Sequence, residues 1–114
     1  MLKEGEKVPY LVIRYVYPPH IIDELVKKLM EVAPKSPPDP SIGEGVLGAV
    51  RATEKGHINM NIFEVKEGKL DAAFALWAKR MALLRNVEGF KYSIELWATS
   101  EEALVSIGVK SPEQ

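Results

Sequence analysis

The chain has 114 residues, 46% of them apolar and 27% charged, with a formal net charge of −1: the size of one domain, 1–114, able to bury a core without metal or disulfide staples. It has no cysteine, which excludes a disulfide framework, a thiolate metal site and cysteine nucleophiles, and fits a cytoplasmic protein. Its charges are interspersed, the start Met1 to Lys7 is charged where a secretory leader is apolar, and no apolar run spans a bilayer, so neither a nucleic-acid footprint nor a membrane role is expected.

Residues 8–17, from Val8 to Tyr17, are rich in β-branched and aromatic types and predict a strand that stops at Pro18-Pro19. From Pro19 to Val32, Ile22, Leu25, Leu29 and Val32 recur at helical spacing, with Asp23 and Glu24 early and Lys27 and Lys28 later. This predicts an amphipathic helix whose charges suit its dipole. The segment 33–45 holds Pro34, Pro37, Pro38 and Pro40 and predicts a long loop, since so many prolines suit neither regular structure. Residues 46–53 and 57–65 are strand-like and joined by the short Glu54-Lys55-Gly56, a hairpin signal.

Over residues 69–86, Leu70, Ala73, Phe74, Trp77, Met81 and Leu84 form a helical stripe with a wide apolar face, closed by Asn86 to Gly89. Phe90 to Ala98 predicts the fourth strand. Thr99 and Glu102 have capping-box spacing, which predicts a short C-terminal helix over 99–108, followed by a tail from Val109 to Gln114.

The order strand, helix, strand, strand, helix, strand over the core 8–98 predicts an α+β fold of the ferredoxin-like βαββαβ kind. Its four-stranded antiparallel sheet would be covered on one face by two helices, in strand order four, one, three, two. The first and third strands are expected at the centre of the sheet and parallel to each other. The layout, the proline after the first strand, and Val87-Glu88-Gly89-Phe90 between the second helix and fourth strand together resemble the dimeric α+β barrel superfamily. The last segment is similar to a "pGf" junction common in that group. The resemblance implies a homodimer in which two such sheets meet face to face and enclose a cavity.

Strands alternate faces, so each divides into two sets. Leu11, Ile13, Tyr15 and Tyr17, then Ile58, Met60, Ile62 and Glu64, then Tyr92, Ile94, Leu96 and Ala98 are expected under the helices. The other sets bring Arg14, His57, Asn59, Asn61, Ser93, Glu95 and Trp97 to the open face, among Val12, Val16 and Phe63. That apolar load predicts a cover, and a second copy supplies one. Arg14, His57, Asn59, Asn61, Glu95 and Trp97 are therefore the ligand-binding candidates, for a small organic molecule bound or transformed between the sheets. The competing expectation is a structural or regulatory dimerisation module, with Arg14 and Glu95 as an ion pair.

Specific chemistries find little footing. Haem-degrading members of the superfamily use a histidine on the second helix, and 69–86 contains none. Lys55 to Met60 opens like the third-strand motif of RNA-recognition domains, but histidine and asparagine stand where stacking aromatics are needed. Tyr17-Pro18-Pro19-His20 replaces the glycine-rich anion loop of acylphosphatases. His20 and His57 are too far apart in sequence for a metal-ligand spacing, and neither a metal nor a cofactor is expected.

Overall fold

A computed structural model describes residues 10–100, with 102 and 108. Strand β1 runs Tyr10–Tyr17, helix α1 Ile22–Val32, strands β2 Gly43–Thr53 and β3 Gly56–Val65, helix α2 Leu70–Ala82 and strand β4 Lys91–Trp97. The expected first two residues of β1, most of the expected C-terminal helix and the tail lie outside the described residues. The capping box itself is formed: the Glu102 amide donates to Thr99 Oγ1 at 3.1 Å and the Thr99 amide to Glu102 Oε1 at 3.2 Å.

The sheet has four antiparallel strands in the order β2-β3-β1-β4, or four, one, three, two counted from the other edge. Two helices accompany this α+β sheet, an arrangement compatible with a ferredoxin-like fold. The expectation that β1 and β3 run parallel is wrong: they are central neighbours, but antiparallel. A crossover through α1 returns β2 in the direction of β1, and the tight hairpin then reverses the chain, so β3 opposes β1.

Local chemistry accounts for the element ends. Pro19 opens a single 3-10 turn, Pro19–Ile21, before α1 begins, so the expected helix from Pro19 has a tighter first turn. Asp23 and Glu24 lie in the first turn of α1, where the dipole favours them. The second helix ends at Ala82 rather than 86; Leu84, Arg85 and Val87 continue in i to i−3 turns. No helix among the described residues is long and apolar enough to cross a membrane.

The core lies between the helices and one face of the sheet. Leu11 and Ile13 of β1 and Phe63 and Val65 of β3 pack with Ile21, Leu25, Val32, Ala73, Met81, Leu84 and Val87. Each large aliphatic side chain buried there contributes about 1.5–3 kcal/mol. Strand β2 starts at Gly43, three residues earlier than its sequence suggests, and there its backbone passes tightly over Phe63. A Cβ at Gly43 would stand 2.7 Å from that ring. A bulge at Val46, between the pairs Gly45 with Phe63 and Leu47 with Ile62, then shifts the strand by one residue.

Register decides which side chains share a face. Directly opposed residues point the same way, and Tyr17, Tyr15, Ile13 and Leu11 stand opposite His57, Asn59, Asn61 and Phe63. Leu11, Ile13 and Phe63 are core residues, so His57, Asn59 and Asn61 belong to the helix side of the sheet. This corrects the expectation that put them on the open face. In their place Ile58, Met60, Ile62 and Glu64 join Tyr10, Val12, Arg14 and Val16 on the open face, with Lys91, Ser93, Glu95 and Trp97 of β4.

Candidate functional site

The six candidate residues therefore divide into two groups of three. Arg14, Glu95 and Trp97 stay together on the open face. Arg14 pairs directly with Ser93, and Val12 with Glu95, so Arg14 and Glu95 are diagonal neighbours. Arg14 Nη2 is 3.7 Å from Glu95 Oε1. The indole Nε1–H of Trp97 donates to the same oxygen at 2.9 Å, and Ser93 Oγ donates to Glu95 Oε2 at 3.4 Å. The Arg14 guanidinium carbon lies 5.9 Å from the Trp97 ring centroid, at the outer limit of a cation–π contact.

Glu95 thus accepts from Trp97 and Ser93, and its charge is answered by Arg14. A carboxylate so engaged is better suited to holding neighbours in place than to moving a proton. One donor is left over, since Arg14 Nε is buried and has no hydrogen-bond partner among the described residues. Around this centre Val16, Leu47 and Trp97 are exposed, Ile58, Met60 and Ile62 are half-buried, and Val12 is buried.

The second group lies on the helix side at the Tyr17 end of β1. His57 Nδ1 is 3.3 Å from Tyr17 Oη, and the two rings meet edge-on. Tyr15 is held between strands: burial raises its phenol pKa, and a hydrogen bond with Asn61 pulls it partly back. Tyr15 stacks on Tyr17 and leans against Phe90, which in turn approaches Tyr92. Asn59 is the buried polar side chain of the described residues, and its Nδ2 has no partner among them. An unsatisfied buried amide costs about 1–3 kcal/mol.

Sequence reasoning missed a third arrangement. Arg80 of α2 lies 4.8 Å over the Trp77 ring. It donates through Nε to Ser36 Oγ at 3.1 Å, and through Nη2 to the carbonyl oxygens of Ser36 and Pro37, each at 3.2 Å. The proline-rich loop is thereby tied to α2. Within it, Asp39 Oδ1 accepts from the Ser41 amide and hydroxyl, which lowers the Asp39 pKa. No local pattern announces the tie to the loop, because Ser36 and Pro37 are more than 40 residues from Arg80.

A groove of about 260 Å³ between α1 and the chain after α2 is lined by Glu24, Lys27, Lys28, Glu31, Asn86 and Val87. It collects alternating surface charges, among them the Lys28 to Glu31 pair at 3.8 Å, and none of the candidate residues. Comparison with protein-family models and with curated proteins finds no match to this chain.

Proposed function

We propose that the chain is a cytoplasmic homodimerisation module of ferredoxin-like type, two copies packing open face to open face as in the dimeric α+β barrel superfamily. Support for the type comes from the alternation of strands and helices and from the strand order. The cytoplasmic part of the reading rests on the cysteine-free sequence.

The observation that carries the pairing is the ring of Val16, Leu47, Ile58, Met60, Ile62 and Trp97 around a mutually paired Arg14 and Glu95. Exposed apolar surface of this extent favours a partner. The same face carries Arg14, Arg51 and Lys91 against Glu44, Glu64 and Glu95, so it has no net charge to oppose pairing with a second copy of itself. Four strands about 4.8 Å apart and about eight residues long give a face of roughly 500 Å². Two such faces bury about 1,000 Å², at the lower bound for a specific interface.

Sedimentation velocity tests this reading. The wild-type chain is expected as a dimer at micromolar concentration and Met60→Asp as a folded monomer. A wild-type monomer at several hundred micromolar sinks the proposal.

A second reading places a small organic molecule between the paired sheets. The buried, unpartnered Arg14 Nε favours it, as a donor awaiting an acceptor. Its candidates are Arg14, Glu95 and Trp97. Native mass spectrometry of the dimer should then find a small-molecule adduct that Arg14→Ala loses; a bare dimer in both samples leaves the dimerisation module alone.

A further inference from the structure

Pairing of the open faces leaves the borders of the sheet untouched. Strand β2 forms one border and β4 the other, and among the described residues β4 has β1 as its neighbour on one side and no strand on the other. The two borders differ. The bulge at Val46 interrupts the β2 ladder, whereas β4 keeps a single register with β1 from Lys91 to Trp97. It contains no proline, and its large side chains stay in water on both faces: Tyr92 and Leu96 on the helix side are 44% and 59% exposed, and Trp97 on the open side 48%. A straight border of this kind invites another strand.

We propose that β4 pairs antiparallel with β4 of a second copy, centred on Ile94, so that two four-stranded sheets join edge to edge into one. Symmetry restricts the choice of register. A two-fold axis perpendicular to the sheet keeps each face on its own side, so every residue must meet one of its own face and the central residue must meet itself. Centred on Ile94, all seven residues find a counterpart within the strand: Lys91 opposes Trp97, Tyr92 opposes Leu96, Ser93 opposes Glu95, and the two isoleucines meet. Each pair is favourable, as ammonium over indole, aromatic on aliphatic, hydroxyl to carboxylate and β-branched on β-branched. Lys91 also lies diagonal to Glu95 of the second copy.

Neighbouring centres do worse. Centred on Glu95, the two carboxylates oppose each other. Centred on Ser93, Leu96 and Trp97 fall opposite Phe90 and Gly89, outside the strand, where Gly89 turns the chain at a φ of 79°. The occupant follows from this match between the strand and its own reverse: it is a second copy. The joint closes on itself and leaves a bulged β2 at each outer border. Two paired strands alone are marginal in water, so the joint is expected at hundreds of micromolar, above the concentration at which open faces pair.

The chain has no cysteine, so engineered thiols report the register without background. Tyr92→Cys and Leu96→Cys each replace an exposed side chain, and both are made together with Met60→Asp, which removes open-face pairing. In the proposed register, position 92 of one copy meets 96 of the other with Cα atoms about 4.5–5.5 Å apart, within reach of a disulfide. Like positions are about 14 Å apart. Mixed under mild oxidation at hundreds of micromolar, the two variants should give a covalent heterodimer in about tenfold excess over either homodimer. A statistical mixture of the three species, or no cross-link, overturns the proposal. Sedimentation of the cysteine-free chains at the same concentration separates it from open-face pairing, with a wild-type tetramer and a Met60→Asp dimer expected. A wild-type dimer with a Met60→Asp monomer overturns the edge joint and leaves open-face pairing, whereas dimers of both proteins support the joint and sink open-face pairing.

Discussion

Arg14 and Glu95 meet diagonally across the β1 and β4 ladder, Nη2 to Oε1 at 3.7 Å, with more than a third of each side chain exposed. A pair so open to water contributes about 0–1 kcal/mol to the monomer. Buried in a dimer, the same residues matter far more, because a lone charge left there costs about 3–5 kcal/mol. Arg14→Glu should therefore leave the urea midpoint of a dilute, monomeric sample within about 1 kcal/mol of wild type while weakening dimerisation at least a hundredfold. The exchange Arg14→Glu with Glu95→Arg should recover most of that loss. Dilution series by sedimentation check both outcomes.

Gly43→Ala should destabilise the fold by about 1–3 kcal/mol through overpacking, because the new methyl points into the Phe63 ring and the Glu64 carbonyl. Gly45 has nothing within 4 Å of its Cβ position, so Gly45→Ala serves as the control, with a shift below about 0.5 kcal/mol. Chemical denaturation of the two variants decides between them.

The raised pKa of Tyr15 sets an alkaline limit. Its folded-state pKa lies above the ordinary phenol value of 10.0, so the folded chain holds this proton more tightly than the unfolded chain. The contribution is complete below pH 10 and is lost as pH rises through the folded-state value. Stability measured from pH 8 to 12 should decline above about 10, and Tyr15→Phe should flatten that decline.

Arg80→Ala releases the proline-rich loop. Loss of its bonds to Ser36 and Pro37 and of its stacking on Trp77 should cost about 1–3 kcal/mol. It should also make residues 36–41 the first site of limited proteolysis. Arg80→Lys keeps a charge but not the planar fork, and should recover less than half of the protection. Equal proteolysis of all three proteins would show that the loop is held by something else.

Most elements were legible in the chain because periodicity, prolines and turn residues agree along it. Leu25 and Val32 at helical spacing, and the hairpin at Glu54-Lys55-Gly56, are examples. The faces of β3 were not. Alternation separates two sets but identifies the inner one only where the other is plainly polar, and here both are mixed. Ile58, Met60 and Ile62 look like core, yet they lie on the open face. The clue was Glu64, which that assignment placed under the helices, while Val65, now among the most buried residues, was placed outside. Arg14, Glu95 and Trp97 were grouped correctly because β1 and β4 each have a clear apolar set. Asn59 stands among the candidates as one of the few polar side chains of β3, but its neighbours depend on register, which no local pattern encodes.

The bulge at Val46 bears on behaviour outside the folded monomer. Strand β2 is an edge of eleven residues without proline, largely exposed and charged only at Glu44 and Arg51, the kind of border that invites sheets to join end on end. By twisting the strand and interrupting its ladder, the extra residue spoils the straight template such growth requires. Deleting Val46 is expected to restore a flat border and to raise the rate of fibril formation, read by thioflavin fluorescence. One inconspicuous valine thus works against open-ended growth along this edge.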